Sequence, residues 1–194
     1  MNKIILFLVL GLTLILPQDA PAICLNGFYI SGSGAANFKQ DVKIHSARLK
    51  YKDGFFLAAA VGYKWKCLRF ETEFGYRHNI YNHLKVDKFK LVLSGNMHTW
   101  SYMANALYDV NFENCLDLQP YFGVGIGYSK TKIKRRTHIG RFFGHDQGFA
   151  WQAIAGINCP VNEQIDIAFE YRYFHTGLKK DRNHNVGTTL RHWF

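Results

Sequence analysis

Alternation of apolar and polar side chains is the feature that most constrains how this chain can fold. In the segment 164–174, every second residue is large and apolar: Ile165, Ile167, Phe169, Tyr171 and Tyr173. The positions between them include Asp166, Glu170 and Arg172. A period of two is that of a β-strand, in which successive side chains point to opposite faces of the sheet. The last eleven residues repeat it, with Val186, Thr188, Leu190, His192 and Phe194 on one face.

Eight segments of this kind follow the N-terminal region. They lie at 28–38, 55–65, 68–76, 98–110, 118–130, 149–159, 164–174 and 184–194. Each has about the length that a tilted strand needs to cross a bilayer. The connections alternate between short and long, as in membrane barrels. The pattern predicts an all-β fold: an eight-stranded antiparallel up-and-down transmembrane β-barrel with four long extracellular loops and short periplasmic turns.

The bulk of the side chains on each face decides between a soluble barrel and a membrane barrel. A soluble barrel would turn its aromatic residues inward, but eight strands leave an interior only just wide enough for side chains. Phe70, Phe122, Trp151 and Phe169 would overfill it. With the faces reversed, lipid contacts the large apolar residues and the charged residues lie inside. Closing the sheet into a barrel then gives every backbone N–H and C=O group within the bilayer a hydrogen-bond partner.

The charged residues of the polar face are therefore predicted to meet inside the barrel as an ion-pair network. They are Arg69, Glu71, Glu73, Asp166, Glu170, Arg172 and Arg191. Two interpretations remain open. The residues line an ion path, which would make the protein a narrow porin-like channel for small solutes, or they pair with one another and plug the barrel. Packed networks are more common in small barrels, which favours the plug.

The first 22 residues have the features of a secretory signal peptide. Lys3 places a positive charge near the N-terminus, and residues 4–16 are almost entirely apolar. Ala20 and Ala22 are small residues of the kind that a signal peptidase recognises. The apolar run is short for a spanning helix, and a retained membrane anchor is the alternative. Ile23 is too bulky to precede a lipidated cysteine at position 24. We expect a signal peptide over 1–22 and an outer-membrane β-barrel domain over 23–194.

The ordered set of segments resembles a known family. The stretches LRFETEFGYR, MANALYDV, PYFGVGIGY, FAWQAIAGIN and IDIAFEYRYF look like the small outer-membrane β-barrel surface antigens. These are relatives of the opacity proteins and of the OmpA-type transmembrane domain. The resemblance implies a bacterial outer-membrane location with loops at the cell surface. It also implies that the barrel-assembly machinery reads an insertion signal of Leu190, His192 and Phe194, although the family usually carries a Tyr at the position of His192.

Positive charge concentrates in the predicted extracellular loops of this chain, whose formal net charge is +10. The loop at 132–147 carries Lys132, Lys134, Arg135, Arg136 and Arg141, and the loop at 175–183 carries Lys179 and Lys180. Clustered cations attract polyanions electrostatically. The predicted partners are outer-membrane lipid, lipopolysaccharide and host anionic glycans. Nucleic acid fits the charge but not the compartment.

The four cysteines are predicted to lie at the periplasmic ends of strands, at Cys24, Cys67, Cys115 and Cys159. The oxidising periplasm allows disulfides. Because the fifth and sixth predicted strands are neighbours, the favoured pairs are Cys115–Cys159 and Cys24–Cys67. Four cysteines permit three connectivities, and four free thiols are the alternative.

Residue spacing indicates no catalytic, metal or cofactor site. The eight-stranded lipid A deacylases resemble this scaffold and need a Ser and a His two residues apart on one strand face. Here His98 precedes Ser101 by three residues, and His45 adjoins Ser46. No Cys-x-x-Cys pair or nearby His pair suits a metal. The predicted function is that of a non-enzymatic surface protein, a structural barrel or surface antigen. Two interpretations of its basic loops stay open: they act as an adhesin for anionic ligands, or they only contact the lipid A of the bacterium itself.

Overall fold

The structure, a computed structural model, describes residues 26–39, 42–44, 47–86, 89–91, 94–110, 118–137, 140–176 and 181–194. The predicted signal peptide lies outside these residues, as do Cys24, Cys115, Lys179 and Lys180. The described residues form ten strands. They are β1 (Gly27–Lys39), β2 (Val42–Ile44), β3 (Ala47–Trp65), β4 (Leu68–Val86), β5 (Phe89–Leu91), β6 (Ser94–Asp109), β7 (Gln119–Thr137), β8 (Gly140–Pro160), β9 (Ile165–Thr176) and β10 (Asp181–Trp193).

Eight of these strands close into one antiparallel barrel. Each pairs with the next in the order β1, β3, β4, β6, β7, β8, β9 and β10, and β10 pairs back onto β1. The closing register sets Tyr29 opposite Trp193 and Lys39 opposite Asn183. The short strands β2 and β5 only extend the hairpins at the ends of β3 and β4. The predicted eight-stranded up-and-down topology is confirmed. Among the described residues there is no helix with the length and apolar character needed to span a membrane.

The tight connections and both ends of the described chain lie at one end of the barrel. Between β3 and β4, Lys66 takes a left-handed φ of 54°, and its amide donates to Asn26 Oδ1 at 2.7 Å. Between β8 and β9, Asn162 Oδ1 accepts from the amides of Gln164 and Ile165 at 2.8 and 2.7 Å. Short turns are typical of the periplasmic end of an outer-membrane barrel.

At the opposite end the strands run further than alternation predicted. β7 continues to Thr137 and β8 begins at Gly140, so that Arg136 pairs with Arg141 in the ladder. Beyond the lipid, water hydrates both faces of a hairpin. A strand there needs no apolar alternation, because backbone hydrogen bonds to its neighbour hold it. The basic segment 132–136 is therefore strand rather than loop.

The two faces of the wall have opposite chemistry. Outward side chains such as Phe28, Phe70, Phe122, Val124 and Ile126 are all more than half exposed. Among the described residues, inward positions hold ten buried charged side chains together with buried amides and hydroxyls. Only lipid around the wall reconciles an apolar exterior with a polar interior.

Candidate functional site

The described residues of the barrel interior include a charge-balanced set of buried side chains. The cations are Lys64, Arg69, Arg77, Arg172 and Arg191, and the carboxylates are Glu71, Glu73, Asp109, Asp166 and Glu170. Five positive charges thus face five negative charges. All seven residues of the sequence-predicted network are in this set, and the structure adds Lys64, Arg77 and Asp109.

Arg172 lies at the centre of this set and connects opposite walls. Its Nε donates to Glu170 Oε2 at 2.6 Å, and its Nη1 contacts Glu73 Oε2. Glu73 is on β4 and Arg172 on β9, four strands apart in either direction around the ring. Gln152 Nε2 donates to Asn105 Oδ1 at 2.8 Å and to Glu73 Oε1 at 3.3 Å, which adds β6 and β8. The ion pair and its amide neighbours therefore cross the whole diameter of the barrel.

Two further ion-pair groups lie towards the periplasmic end. Asp109 accepts from Arg69 Nη2 and from Lys64 Nζ, each at 2.8 Å. Asp166 accepts from Arg191 Nη1 at 2.6 Å and from Trp193 Nε1 at 2.8 Å. Lys64 and Arg69 face each other across neighbouring strands, where like charges are unfavourable. Asp109, from the next strand, compensates both.

Two tyrosines fill the space between these groups in the same way. Tyr29 donates to Glu71 Oε1 at 2.7 Å, and Tyr121 donates to Glu170 Oε1 at 2.5 Å. Each ring lies against a glycine of the neighbouring strand, Tyr29 against Gly62 and Tyr121 against Gly156. A β-carbon at either glycine would overlap the ring. These glycines therefore make room for large rings in a narrow interior.

At the extracellular end, Arg77 is held between two aromatic rings. Its guanidinium carbon is 4.1 Å from the centroid of Phe56 and 3.7 Å from that of Phe174, and its Nη1 donates to Ser101 at 2.9 Å. The gap beside Arg172, between Phe56 and Asn185, is too small for a water molecule. The predicted third segment ended at residue 76, although Arg77 continues the inward set of β4.

The remaining predicted site residues are in different parts of the molecule. Lys132 is exposed on β7, while Lys134, Arg135 and Arg136 belong to β7 and Arg141 to β8, with side chains outside the described part of the structure. Leu190 and Phe194 face outward, 55% and 77% exposed. His192 is half-buried and meets the Phe194 ring edge-on at 5.1 Å. Their role as an insertion signal stays a prediction.

Two of the four cysteines fall within the described residues. Cys67 is in the turn after β3 and Cys159 near the end of β8, so both are at the periplasmic end, as predicted, and both are half-buried. Cys24 and Cys115, their proposed partners, lie outside the described residues. Both disulfide pairings stay predictions.

Solved structures with this barrel fold come from several bacteria. Neisserial surface protein A aligns with a TM-score of 0.62 and 19% identity, over 91% of this chain and 100% of that one. OprG from Pseudomonas aeruginosa aligns with a TM-score of 0.59 and 12% identity, over 87% and 97%. Ail of Yersinia pestis aligns with a TM-score of 0.51 and 16% identity, over 86% and 99%. At these identities the likeness shows the fold.

Two sequence relatives are named as outer membrane proteins. An outer membrane protein of Gluconacetobacter diazotrophicus is 26% identical over 182 residues, which is 80% of this chain and 48% of the relative. Outer membrane protein PagN of Salmonella typhimurium is 32% identical over 95 residues, 45% of this chain and 38% of the relative. The chain thus spans half or less of either relative's length. Residues 5–191 match the outer membrane protein beta-barrel domain family. The chain belongs to this family of bacterial outer-membrane proteins.

Proposed function

We propose that this protein is a non-enzymatic surface barrel that presents basic β-hairpins to anionic ligands outside the cell. The observation that carries the proposal is the unbroken β7–β8 ladder, which pairs every residue from Gln119 to Thr137 with a partner between Gly140 and Asn158. The basic segment 132–136 is part of this ladder, and its backbone is therefore ordered before any ligand arrives.

Order and charge together favour polyanion binding. A cationic strand fixed by its neighbours loses little conformational entropy when a ligand binds. Positive charge also speeds the approach of a polyanion. Lys130 and Lys132, at the base of the hairpin, are exposed, and no carboxylate on β7 faces outward among its described residues. The ligand class is a sulfated or phosphorylated glycan, either on a host surface or in the lipopolysaccharide of the bacterium itself.

Binding to heparin, used as a probe sulfated glycan, tests the proposal. We expect Arg136→Glu to weaken binding about fivefold, since it changes the local charge by two units at roughly 0.5 kcal/mol each. Lys66→Glu makes the same change in net charge at the periplasmic turn and should leave binding unchanged. Equal losses in both variants would mean that heparin senses only net charge, which would refute the role of the hairpin.

The rival function is a narrow channel for small solutes, and the interior argues against it. The buried charges of the described residues cancel, the Arg172–Glu73 pair crosses the diameter, and Arg77 lies between Phe56 and Phe174 towards the extracellular end. We expect the purified protein to show no discrete conductance steps in a planar bilayer. Stable, uniform conductance steps would mean that the protein is a pore and not a plugged barrel.

A further inference from the structure

The outward face of β4, β6 and β7 carries a cluster of cations and aromatic rings near the extracellular end. We call His78, His98, Lys130 and Lys132, with Tyr76 and Trp100, the rim cluster. The ladder sets His98 opposite both His78 and Lys132, and Trp100 opposite both Tyr76 and Lys130. The His78 and His98 ring centroids are 4.8 Å apart, and Lys132 Nζ is 5.4 Å from the Trp100 centroid. Tyr76 Oη and His98 Nδ1 share a hydrogen bond of 2.7 Å.

The rim cluster lies at the height of the lipid headgroups. Along β7 and the residue before it, the outward positions from Leu118 to Tyr128 carry no charge, and Lys130 is the first charged one. Ten residue steps of about 3.3 Å on a strand tilted by about 40° rise roughly 25 Å, the height of the apolar band of such barrels. Lys130 and Lys132 therefore meet the outer leaflet where its headgroups begin.

Among the described residues, no outward carboxylate on β4, β6 or β7 neutralises these cations, and Asp146 of β8, which pairs with Thr131, is half-buried on the inward face. On β4, β6 and β7, every carboxylate in the part of the chain that the structure describes points into the barrel: Glu71, Glu73 and Asp109. Asp53 is exposed, but it is on β3, three strands from Lys132. The charge of Lys130 and Lys132 is thus available to a ligand.

An apolar groove of about 960 Å³ begins below the rim cluster on the outward face and extends across β3 and β1 to Leu190 and His192 on β10. Its upper edge is formed by Phe74, Tyr102 and Tyr128. On their strands these residues are the next outward positions below Tyr76, Trp100 and Lys130, respectively. Small residues at Gly32, Ala59 and Ala104 form its floor. Phe74, Tyr102 and Leu190, which line the groove on either side of these small residues, are large, so the wall is recessed between them. The recess faces the hydrocarbon core of the membrane.

We propose that the rim cluster and this groove together bind one phosphorylated, multiply acylated glycolipid of the outer leaflet, the chemistry of lipid A. Lys130 and Lys132 contact its phosphates, with the His78 and His98 rings as hydrogen-bonding neighbours. Its acyl chains lie in the groove over Ala59 and Ala104. The assignment rests on the outer-membrane location of the family. It shares Lys130 and Lys132 with the proposed heparin-binding hairpin, but it does not use residues 134–136, which are further along β7.

Native mass spectrometry of the full chain in zwitterionic detergent, titrated with diphosphorylated hexa-acyl lipid A, tests the headgroup contact. We expect one lipid A per barrel. The double variant Lys130→Gln/Lys132→Gln should bind about 30-fold more weakly, which corresponds to the usual contribution of two cations at an anionic lipid surface. The double variant Lys66→Gln/Arg182→Gln removes the same charge elsewhere and should bind like the wild type. Equal affinity of the two double variants would overturn the proposal.

A second pair of variants tests the groove on one strand. Ala104 and Ala106 both face lipid on β6, but only Ala104 lines the groove. Ala104→Phe should lower lipid A affinity roughly tenfold, the effect of losing acyl contacts worth about two methylene groups. Ala106→Phe should have no effect. If both variants bind alike, or if inorganic pyrophosphate displaces lipid A completely, the groove has no role and the proposal fails.

The two proposals can fail separately. Loss of heparin binding without loss of lipid A binding in Lys130→Gln/Lys132→Gln would assign these lysines to the hairpin and refute the lipid site. Loss of lipid A binding with unchanged heparin binding supports the lipid site and leaves the hairpin proposal to the Arg136→Glu test.

Discussion

The barrel interior and the rim cluster are both rich in cations, yet they differ in what surrounds each charge. Inside, Arg172 contacts Glu73 and Glu170, and Arg69 contacts Asp109. At the rim, Lys132 has an aromatic ring below it and no outward carboxylate on the three described strands of that wall. The interior thus uses its charges for structure, whereas the rim leaves its charges for a ligand.

The difference follows from solvent access. A charge in a water-excluded interior must be paired, because an unpaired buried ion costs several kcal/mol. A lysine at the membrane surface retains water or lipid phosphate as a partner, and so it needs no carboxylate. The same substitution should therefore have very different effects on stability in the two regions.

The largest effect should come from Arg172→Met. Removing this guanidinium leaves Glu73 and Glu170 without their common cation in the centre of the barrel. We expect the free energy of unfolding to fall by about 3–5 kcal/mol, the usual result of breaking a buried ion pair from one side. Urea titration of the barrel in lipid vesicles, followed by the gel shift between boiled and unboiled samples, measures it.

Two controls separate charge from bulk. The triple variant Glu73→Gln/Glu170→Gln/Arg172→Met removes the orphaned carboxylates and should recover most of the loss, because neutral groups need not be paired with a cation. Arg182→Met makes the same substitution at an exposed position of β10 and should change stability by less than about 0.5 kcal/mol. A large loss of stability in Arg182→Met would contradict the proposed difference between interior and exposed cations.

A smaller effect is expected from the glycine under Tyr121. A β-carbon at Gly156 would lie 2.7 Å from Cζ of Tyr121, and the ring would have to move away from Glu170. Gly156→Val should cost about 1–3 kcal/mol, as overpacking usually does. Gly32→Val is the matched control, since Gly32 faces lipid with no heavy atom within 4 Å of its β-carbon position. The same urea titration compares them, and equal losses would show that valine disturbs the backbone rather than the interior.

Alternation predicted the fold well because lipid imposes it. Wherever the wall crosses the hydrocarbon, outward residues must be apolar. The period alone therefore puts Glu170 and Arg172 on the inward face, which is where they lie. The same rule ends where the lipid ends. It ended the third segment at Tyr76, whereas β4 continues through Arg77 to Val86, since water accepts polar residues on both faces.

The partners of the interior charges could not be predicted from the sequence, for a different reason. Pairing between strands that are not adjacent depends on the tilt and stagger of the closed barrel. No local pattern shows that Glu73 on β4 meets Arg172 across the diameter, or that Asp109 compensates both Lys64 and Arg69. The rim cluster likewise depends on register, because His78, His98 and Lys132 are far apart along the chain and adjacent in the ladder.

The smallest effect is expected from Lys132→Met, and the same substitution at Lys64 gives the sharpest comparison between the two regions. Lys64→Met removes an interior cation 2.8 Å from Asp109, which keeps Arg69 as a partner, so we expect a loss of about 1.5–3 kcal/mol. Lys132→Met removes a cation that contacts only the Trp100 ring among its described contacts, and it should cost at most about 1 kcal/mol. Both are measured by urea titration in vesicles of zwitterionic lipid, where no phosphate-rich ligand stabilises the rim.

Adding lipid A to those vesicles should raise the stability of the wild type more than that of Lys132→Met, because only the folded barrel presents the rim cluster. An equal gain in both would mean that the charge at Lys132 is not used by the lipid.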